Sequence, residues 1–173
     1  MANQRYVLRR SWMGNGGVVN FIMLNPSTAD DTFDDPTIRR CIGFAKRWGY
    51  CGLVVTNLFA YRATDPKDLH ALLMKEGGFR LAIGEENPSH LDREARMAHC
   101  VVCAWGDNVL KMPKWMGRRD HDVMLMLRPY DLFCIRMTKS GNPVHPVREG
   151  YTDSPVVFRP KQLDLNSDGG MND

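Results

Sequence analysis

Apolar and polar positions alternate along this chain in blocks that predict strands separated by helices. Five blocks have the length and the β-branched or aromatic content of strands, and they lie at 5–12, 18–25, 51–59, 100–106 and 132–137. Two of them, 18–25 and 51–59, are apolar nearly throughout, as expected of strands that are buried on both faces of a sheet.

Between the strands, apolar residues recur at helical spacing. The pattern is clearest after Pro36, where the apolar positions are Ile38, Cys41, Ile42, Ala45 and Trp48. Gly49 is expected to end this helix. Further helices are expected near 68–75, 90–98 and 118–127, with Ser89 as a candidate N-cap for the second.

Strands that alternate with helices need crossover connections, which favour parallel pairing with helices on both faces of the sheet. We therefore predict an α/β fold with three αβα layers and a mostly parallel central sheet. The glycine-rich segment 14–17 predicts that the first two strands form an N-terminal hairpin. Residues 1–164 are predicted to form a single α/β domain, and the small polar residues 165–173 a disordered tail.

Composition narrows the class of protein. The 173 residues carry a formal net charge of +3 and are 43% hydrophobic and 25% charged, as in an ordinary globular domain. We find neither a leader-like segment nor an apolar run of about 20 residues, so we expect a soluble, cytoplasmic protein with no membrane partner. The five cysteines are expected to be reduced thiols. The small positive charge permits a nucleic-acid partner without arguing for one.

Unusual polar residues follow the ends of four predicted strands. Asn25 and Asn57 end two of them, the triplet 106–108 (Gly-Asp-Asn) follows the next, and the last leads through Thr138 and Lys139 to His145. In open α/β sheets, ligands bind beyond the carboxyl ends of the strands. These residues are therefore expected to meet at one edge of the sheet, although an isolated Asn at a strand end is as often a simple turn residue.

Five segments in this order resemble a family catalogued as domain of unknown function 1643. They are MLNPSTADDTFDDPTIRR, TNLFAYRATDP, the pair Glu86-Asn87, VVCAWG and TKSGNPVHP. That family in turn resembles, more distantly, the mismatch-specific branch of the uracil-DNA-glycosylase superfamily. The matching positions here are Asn25-Pro26, Asn57, Trp105-Gly106 and His145-Pro146.

This resemblance implies a uracil-DNA-glycosylase-like fold and chemistry on a pyrimidine in DNA or in a nucleotide. In that chemistry Asn25 would position water or the sugar, Asn57 would read the base edge, and His145 would donate a hydrogen bond to the departing base. Asn25 cannot be the general base, because an amide does not take up the proton. Other residues expected to bind the base or substrate are Pro26, Ser27, Thr28, Tyr61, Arg62, Asn87, Trp105, Gly106, Thr138 and Lys139.

An acidic cluster follows Asn25 and contains Asp30, Asp31, Asp34 and Asp35. Asp35 precedes Pro36 and is a good candidate N-cap for the following helix. One of Asp30, Asp34 or Asp35 is expected to serve as the base that Asn25 cannot be, or to hold the substrate. The same carboxylates would also suit Mg²⁺, but the spacing and glycine of a calcium loop are absent, so no dedicated metal site is expected.

A basic stretch with one aromatic residue is the candidate nucleic-acid contact, and it comprises Lys111, Lys114, Trp115, Arg118 and Arg119. The alternative is a solvated helix face. Arg62 beside Tyr61 is the other candidate for phosphate contact and stacking. After His145-Pro146 the chain continues Val147-Arg148-Glu149, where the resembling glycosylases carry a wedge that fills the gap left by a flipped base. This departure argues against invasion of a duplex.

Some glycosylases of that superfamily hold an iron–sulfur cluster through four cysteines. The cysteine spacings of this chain do not match that pattern, so no cluster and no other cofactor are expected. Cys100 and Cys103 should point to opposite faces of one strand, because side chains alternate along a strand. They are therefore not expected to share a metal.

Three functions follow from these observations. The first is an N-glycosylase-like enzyme acting on a pyrimidine, as in DNA repair. The second is an enzyme that uses the same pocket to modify a pyrimidine, as in viral DNA-modification pathways, and the third is a non-catalytic module that binds a base or nucleotide. The sequence leaves the preferred base and the oligomeric state open.

Overall fold

The computed structural model describes residues 3–30, 32–113 and 118–159. Within these ranges, six strands and five α-helices follow one another in the order β1 (Leu8–Ser11), β2 (Val18–Met23), α1 (Pro36–Arg47), β3 (Gly52–Asn57), α2 (Pro66–Leu73), α3 (Gly78–Ile83), α4 (Asn87–Met97), β4 (Cys100–Cys103), α5 (Arg119–Met126), β5 (Leu132–Cys134) and β6 (Val156–Val157). The described residues also include two short 3-10 helices, Asp107–Lys111 and Pro146–Arg148. The predicted tail 165–173 lies outside the described residues.

The six strands form one mixed sheet in the order β1-β3-β2-β4-β5-β6. The four central strands are parallel, whereas β1 and β6 pair antiparallel at the two edges. The prediction of an α/β fold is thus confirmed. The chain runs from β2 to β3 on one side and from β4 to β5 on the other, so the order reverses between β2 and β4. Such a reversal opens a crevice at the carboxyl ends of the two strands.

The prediction of an N-terminal hairpin is wrong. β1 pairs with β3, with Leu8 opposite Val55 and Ser11 opposite Gly52. Both edges of β2 are occupied by the parallel strands β3 and β4, so β1 has no free edge of β2 to join. The glycine-rich segment before β2 instead packs against the start of β3. A Cβ on Gly16 would lie 2.0 Å from the carbonyl oxygen of Gly49.

Helices cover both faces of the sheet. The side chains of β2 and the residue after it alternate between two apolar clusters, one on each face. Val19, Phe21 and Met23 pack with α1, whereas Ile22 and Leu24 belong to the cluster of α2, α4 and α5. Cys100 and Cys103 are likewise divided between these two clusters, as expected from their spacing. The strand ends therefore emerge between two helical layers.

Helix starts differ in places from those predicted. Asp35 caps α1 by accepting a hydrogen bond from the Ile38 N–H at 2.8 Å, as expected. α4 begins at Asn87, so Ser89 lies inside the helix and is not its cap. The short elements α3 and β6 have too few residues to show a periodic pattern in the sequence. No helix in the described ranges has the length and apolar content needed to cross a bilayer.

Candidate functional site

A pocket of about 150 Å³ opens at the carboxyl ends of β2, β3 and β4, where the strand order reverses. Each strand contributes its last residues or those that follow, the start of α1 forms one wall, and the loop before the second 3-10 helix adds His145. The lining residues are Arg5, Met23, Leu24, Asn25, Ser27, Asp35, Thr37, Ile38, Val55, Asn57, Ala63, Thr64, Trp105, Asn108 and His145. The fold therefore brings Asn25, Asn57, Asp35, Trp105 and His145 together.

Asn25 is held by two carbonyl groups. Its side-chain amide nitrogen donates to the carbonyl oxygens of Pro26 at 3.0 Å and Ala63 at 2.8 Å. These two acceptors fix the orientation of the amide and occupy its donors. The oxygen Oδ1 is therefore the group that Asn25 has available as an acceptor at the pocket.

Asn57 ends β3 and is only 2% exposed. Its side chain makes no hydrogen bond to any residue within 3–30, 32–113 and 118–159, yet it lines the pocket. Its amide atoms are not among the fully buried, unpartnered polar atoms, so they are reached from the pocket. Its paired donor and acceptor are therefore available to a ligand that offers the complementary pair.

Asp35 combines a structural and an electrostatic role. Oδ1 accepts from the Ile38 N–H at the start of α1, while the side chain is buried and lines the pocket. Burial lowers the pKa values of two other pocket residues, Arg5 and His145. The negative charge of Asp35 acts in the opposite direction and raises both pKa values. The pocket therefore contains a carboxylate whose charge acts on both a guanidinium and an imidazole.

His145 is oriented through its own backbone. The Val147 N–H donates to Nδ1 at 3.4 Å, at the start of the 3-10 helix. Burial lowers the pKa of His145 below its ordinary value of 6.5, and the charge of Asp35 opposes this shift. The imidazole is therefore neutral near neutral pH. With Nδ1 as an acceptor, its proton is on Nε2, which makes Nε2–H a donor.

Gly106 provides the space for His145. Its backbone has φ +71° and ψ −178°, a region that is almost restricted to glycine. A Cβ at this position would lie 3.0 Å from Cβ of His145. Trp105, immediately before it, is 1% exposed and packs edge-on against Phe158 with ring centroids 5.7 Å apart. Its indole N–H has no partner in the described part of the chain.

The residues that line this pocket fall within the part of the chain that matches a known protein family. The family model described as "Protein of unknown function (DUF1643)" matches residues 5–147. The chain belongs to the DUF1643 family. The first and last pocket residues, Arg5 and His145, both fall within the match. No curated protein and no solved structure matches the chain, so the likeness to uracil-DNA glycosylases stays a prediction.

The other two candidate bases of this DUF1643 protein lie away from the pocket. Oδ1 of Asp30 accepts from the backbone N–H groups of Thr32 and Phe33, and these bonds lower the pKa of Asp30. Asp34 forms an ion pair with Arg10 at 2.8 Å. Of the three candidates, Asp35 is thus the one that lines the pocket. Asp31 lies outside the described residues.

The residues expected to bind substrate divide into two groups. Ser27 and Trp105 line the pocket and Gly106 adjoins it through His145. The others are not among the lining residues, and most have a partner in the chain. The Pro26 carbonyl accepts from Ala63 and Asn25. Those that do not line it are Pro26, Thr28, Tyr61, Arg62, Asn87, Thr138 and Lys139.

Thr138 belongs to a network that holds the loop before His145. Its hydroxyl donates to Oδ1 of Asp107 at 2.9 Å, and the side chain of Asn142 donates to the same oxygen at 2.9 Å. The loop is thereby joined to the 3-10 helix that follows β4. Thr138 therefore acts on the pocket through the position of His145, whereas Lys139 is exposed.

Asn87 supports the floor of the pocket and does not contact its interior. The side chain is fully buried. It donates to the carbonyl oxygens of Asn57 at 3.0 Å and Leu58 at 3.1 Å, which ties the start of α4 to the end of β3. Asn87 is not among the lining residues and its donors are already occupied, whereas its buried Oδ1 has no partner within residues 3–30, 32–113 and 118–159. Contact of Asn87 with substrate stays a prediction.

We expect Asn87→Ala to lower the free energy of unfolding by about 1–3 kcal/mol, because two buried carbonyls lose their donor. Urea denaturation followed by circular dichroism would measure it. Asn3→Ala is the matched control, since the exposed Asn3 amide also donates to a carbonyl, that of Arg62, and should cost less than about 0.5 kcal/mol. Equal losses in the two variants would show that Asn87 does not brace β3.

The candidate nucleic-acid contact is not a uniform cationic surface. Lys111 is exposed, but the Arg118 guanidinium is paired with Asp120 at 2.6 Å. Arg119 is 9% exposed and its Nε donates to the carbonyl of Leu58 at 3.0 Å. The expectation that Arg119 contacts nucleic acid is wrong, because its side chain is used inside the fold. Lys114 and Trp115 lie outside the described residues.

Four polar lining residues were not among the predicted site residues. They are Arg5, Thr37, Thr64 and Asn108. Asn108 belongs to the Gly-Asp-Asn triplet at the end of a predicted strand, so the strand-end argument contained the signal for it. Arg5 precedes β1, and no local pattern connects it to residues that follow the other strands.

Proposed function

We propose that this DUF1643 chain is an N-glycosylase-like enzyme that hydrolyses the bond between a pyrimidine base and its sugar. The observation that carries the proposal is the arrangement of Asp35, His145, Asn25 and Asn57 around one small pocket at the reversal of strand order. A carboxylate can activate the water, a neutral imidazole can donate to the departing base, and amides can position the base and the water in such a hydrolysis.

The size of the pocket supports a single ring as its occupant. A cavity of about 150 Å³ is the size that holds one benzene molecule in a protein interior. A pyrimidine base has one six-membered ring, whereas a purine has two fused rings. In this proposal the base enters the pocket and the sugar remains at its mouth.

His145 and Asn57 would act on the base. Cleavage of the N-glycosidic bond leaves the bonding electron pair on the base, so negative charge develops on its carbonyl oxygens. The Nε2–H of neutral His145 would donate to one such oxygen. The unpaired amide of Asn57 would hydrogen-bond to a ring edge that presents an adjacent donor and acceptor.

Asp35 and Asn25 would act on the attacking water. The Asn25 oxygen accepts a hydrogen bond from one O–H of the water, and the Asp35 carboxylate takes up the other proton as the water oxygen bonds to C1′ of the sugar. The products are the free base, which regains a proton, and a sugar with a hydroxyl at C1′. The carboxylate also stabilises the positive charge that develops on the sugar ring.

The finer fold assignment belongs to the same proposal. The order of the strand-end residues, from Asn25 through Asn57 and Trp105 to His145, supports a likeness to the mismatch-specific uracil-DNA glycosylases. Asp35 at the pocket favours an enzyme over a non-catalytic base-binding module, because base recognition alone does not need a carboxylate there.

The proposal is tested by release of a free base, detected by mass spectrometry. Purified protein would be incubated, with and without Mg²⁺, with nucleotides and single- and double-stranded oligonucleotides carrying uracil, thymine or 5-substituted pyrimidines. We expect release to fall about 100- to 1000-fold in His145→Ala, as when one donor to a developing anion is removed. His70→Ala, at an exposed position on α2, should leave release unchanged.

Two outcomes would contradict hydrolysis. A mass shift on the substrate without base release would indicate a base-modifying enzyme. Neither release nor mass shift, with pyrimidine binding still measurable, would indicate a binding module.

A further inference from the structure

Two arginine side chains meet at one carbonyl beside the pocket. Nη1 of Arg5 and Nη2 of Arg62 both donate to the carbonyl oxygen of Ala29, the latter at 3.4 Å. Arg5 comes from the segment before β1 and lines the pocket, whereas Arg62 follows β3. Two guanidinium groups thus lie close together at the edge of a ring-sized cavity.

Two positively charged guanidinium groups that share one acceptor repel each other. Burial lowers the pKa of Arg5 most, and the positive charges of Arg62 and Arg10 lower it further. The nearest compensation comes from Asp35 and Asp30, which act at longer range. Within residues 3–30, 32–113 and 118–159, no carboxylate oxygen lies within 4.0 Å of either guanidinium. Arg10 differs, because Asp34 pairs with it.

Within the residues that the structure describes, the two arginine side chains use little of their hydrogen-bonding capacity. A guanidinium has five N–H groups. The Arg5 side chain uses one on Ala29, and its buried Nε has no partner in the described part of the chain. Arginine groups that converge in this way match the geometry of a phosphate, whose several oxygens accept bidentate hydrogen bonds.

We propose that Arg5 and Arg62 form a phosphate subsite that recognises the phosphate of the pyrimidine nucleotide whose base occupies the pocket. This inference rests on the proposed function, because it assumes that a base enters beside Arg5. It adds that the ligand is a phosphorylated nucleoside and not a free nucleoside. The phosphate is a monoester in a free nucleotide or a diester in a DNA strand.

Binding measured by isothermal titration calorimetry tests the subsite without requiring turnover. The probes are 2′-deoxyuridine and thymidine, each as the nucleoside, as the 5′-monophosphate and as the central residue of a trinucleotide. We expect wild-type protein to bind a phosphorylated form about 10- to 100-fold more tightly than the nucleoside, the range for charge-assisted hydrogen bonds. Added salt should reduce this preference.

Arg62→Gln should abolish most of the preference and leave nucleoside affinity unchanged, because Arg62 does not line the base pocket. Arg5→Gln should weaken binding of the phosphorylated forms more than binding of the nucleoside. Arg47→Gln removes a positive charge from an exposed ion pair with Asp153. This control variant should keep the preference for the phosphorylated forms. Circular dichroism would verify that each variant is folded. Arg5→Lys should retain part of the preference, because lysine keeps the positive charge. Tighter binding of the monophosphate than of the trinucleotide would identify a free nucleotide as ligand, and the reverse a DNA strand.

The outcomes separate this inference from the proposed function. If wild-type protein binds nucleoside and phosphorylated forms equally, the phosphate subsite is refuted and the base pocket stands. If it binds none of the probes, the base pocket itself is refuted. If Arg5→Gln weakens nucleoside and nucleotide binding by the same factor, Arg5 only shapes the pocket through Ala29, and the subsite is again refuted.

Discussion

Asp35→Asn is expected to reduce base release about 100- to 10,000-fold, the usual contribution of a general base, and to leave folding stability nearly unchanged. The reason is that Asp35 has two roles that this substitution separates. An amide oxygen still accepts the hydrogen bond from Ile38 N–H, and Asn caps a helix about as well as Asp. The amide of Asn cannot, however, take up the proton of the attacking water.

The release assay with a fixed substrate measures the first effect, and thermal or urea denaturation the second. Asp65→Asn is the matched control, because Asp65 also caps a helix before a proline and is exposed. It should leave both release and stability unchanged. Release by Asp35→Asn at the wild-type rate would exclude Asp35 as the base, and an equal loss in both variants would attribute the effect to capping.

Gly106→Ala is expected to lower base release by less than about 100-fold, the loss that a misplacement of a catalytic group by about 1 Å can cause, because His145 must shift by a few tenths of an ångström. The new Cβ would lie 3.0 Å from Cβ of His145, which is closer than neighbouring carbons normally approach. The strained backbone should also cost about 1–3 kcal/mol of stability. His145 would have to move away from its position at the pocket.

Gly77→Ala is the control for backbone strain alone. Gly77 also has a positive φ, +69°, but no atom lies within 4 Å of a Cβ placed there. We expect Gly77→Ala to lose about 1 kcal/mol of stability and no activity. Base release and urea denaturation would be measured on both variants. If Gly106→Ala keeps wild-type release despite its strain, His145 is not positioned through this contact.

The strand-end argument shows what could be predicted about the site. Asn25, Asn57 and His145 follow three different strands, and the parallel sheet brings all three to one pocket. That outcome depends only on alternating strands and helices, which are visible as periodic patterns. Asn87 shows where the argument fails. It belongs to one of the segments that resemble the family, yet its side-chain amide donates to backbone carbonyls and does not line the pocket.

The choice among the aspartates could not be made from sequence. Asp30, Asp34 and Asp35 are close along the chain, but a turn directs Asp30 to its own backbone and Arg10 pairs with Asp34. Only the start of α1 places Asp35 at the pocket. The bonds of Asp30 and Asp35 are local, but which of these side chains faces the pocket depends on how the loop packs against distant strands, and local sequence does not record that packing.

The sequence by itself determined the α/β class, the helix that Asp35 caps and the edge of the sheet where the pocket forms, because these depend on local periodicity and capping. The tertiary structure decided that β1 pairs with β3, that Arg5 reaches the pocket and that Arg119 is buried. These features arise from pairing between segments far apart in the chain. Their energies depend on which strand edges remain free and on which charges meet, and neither is encoded in a local pattern.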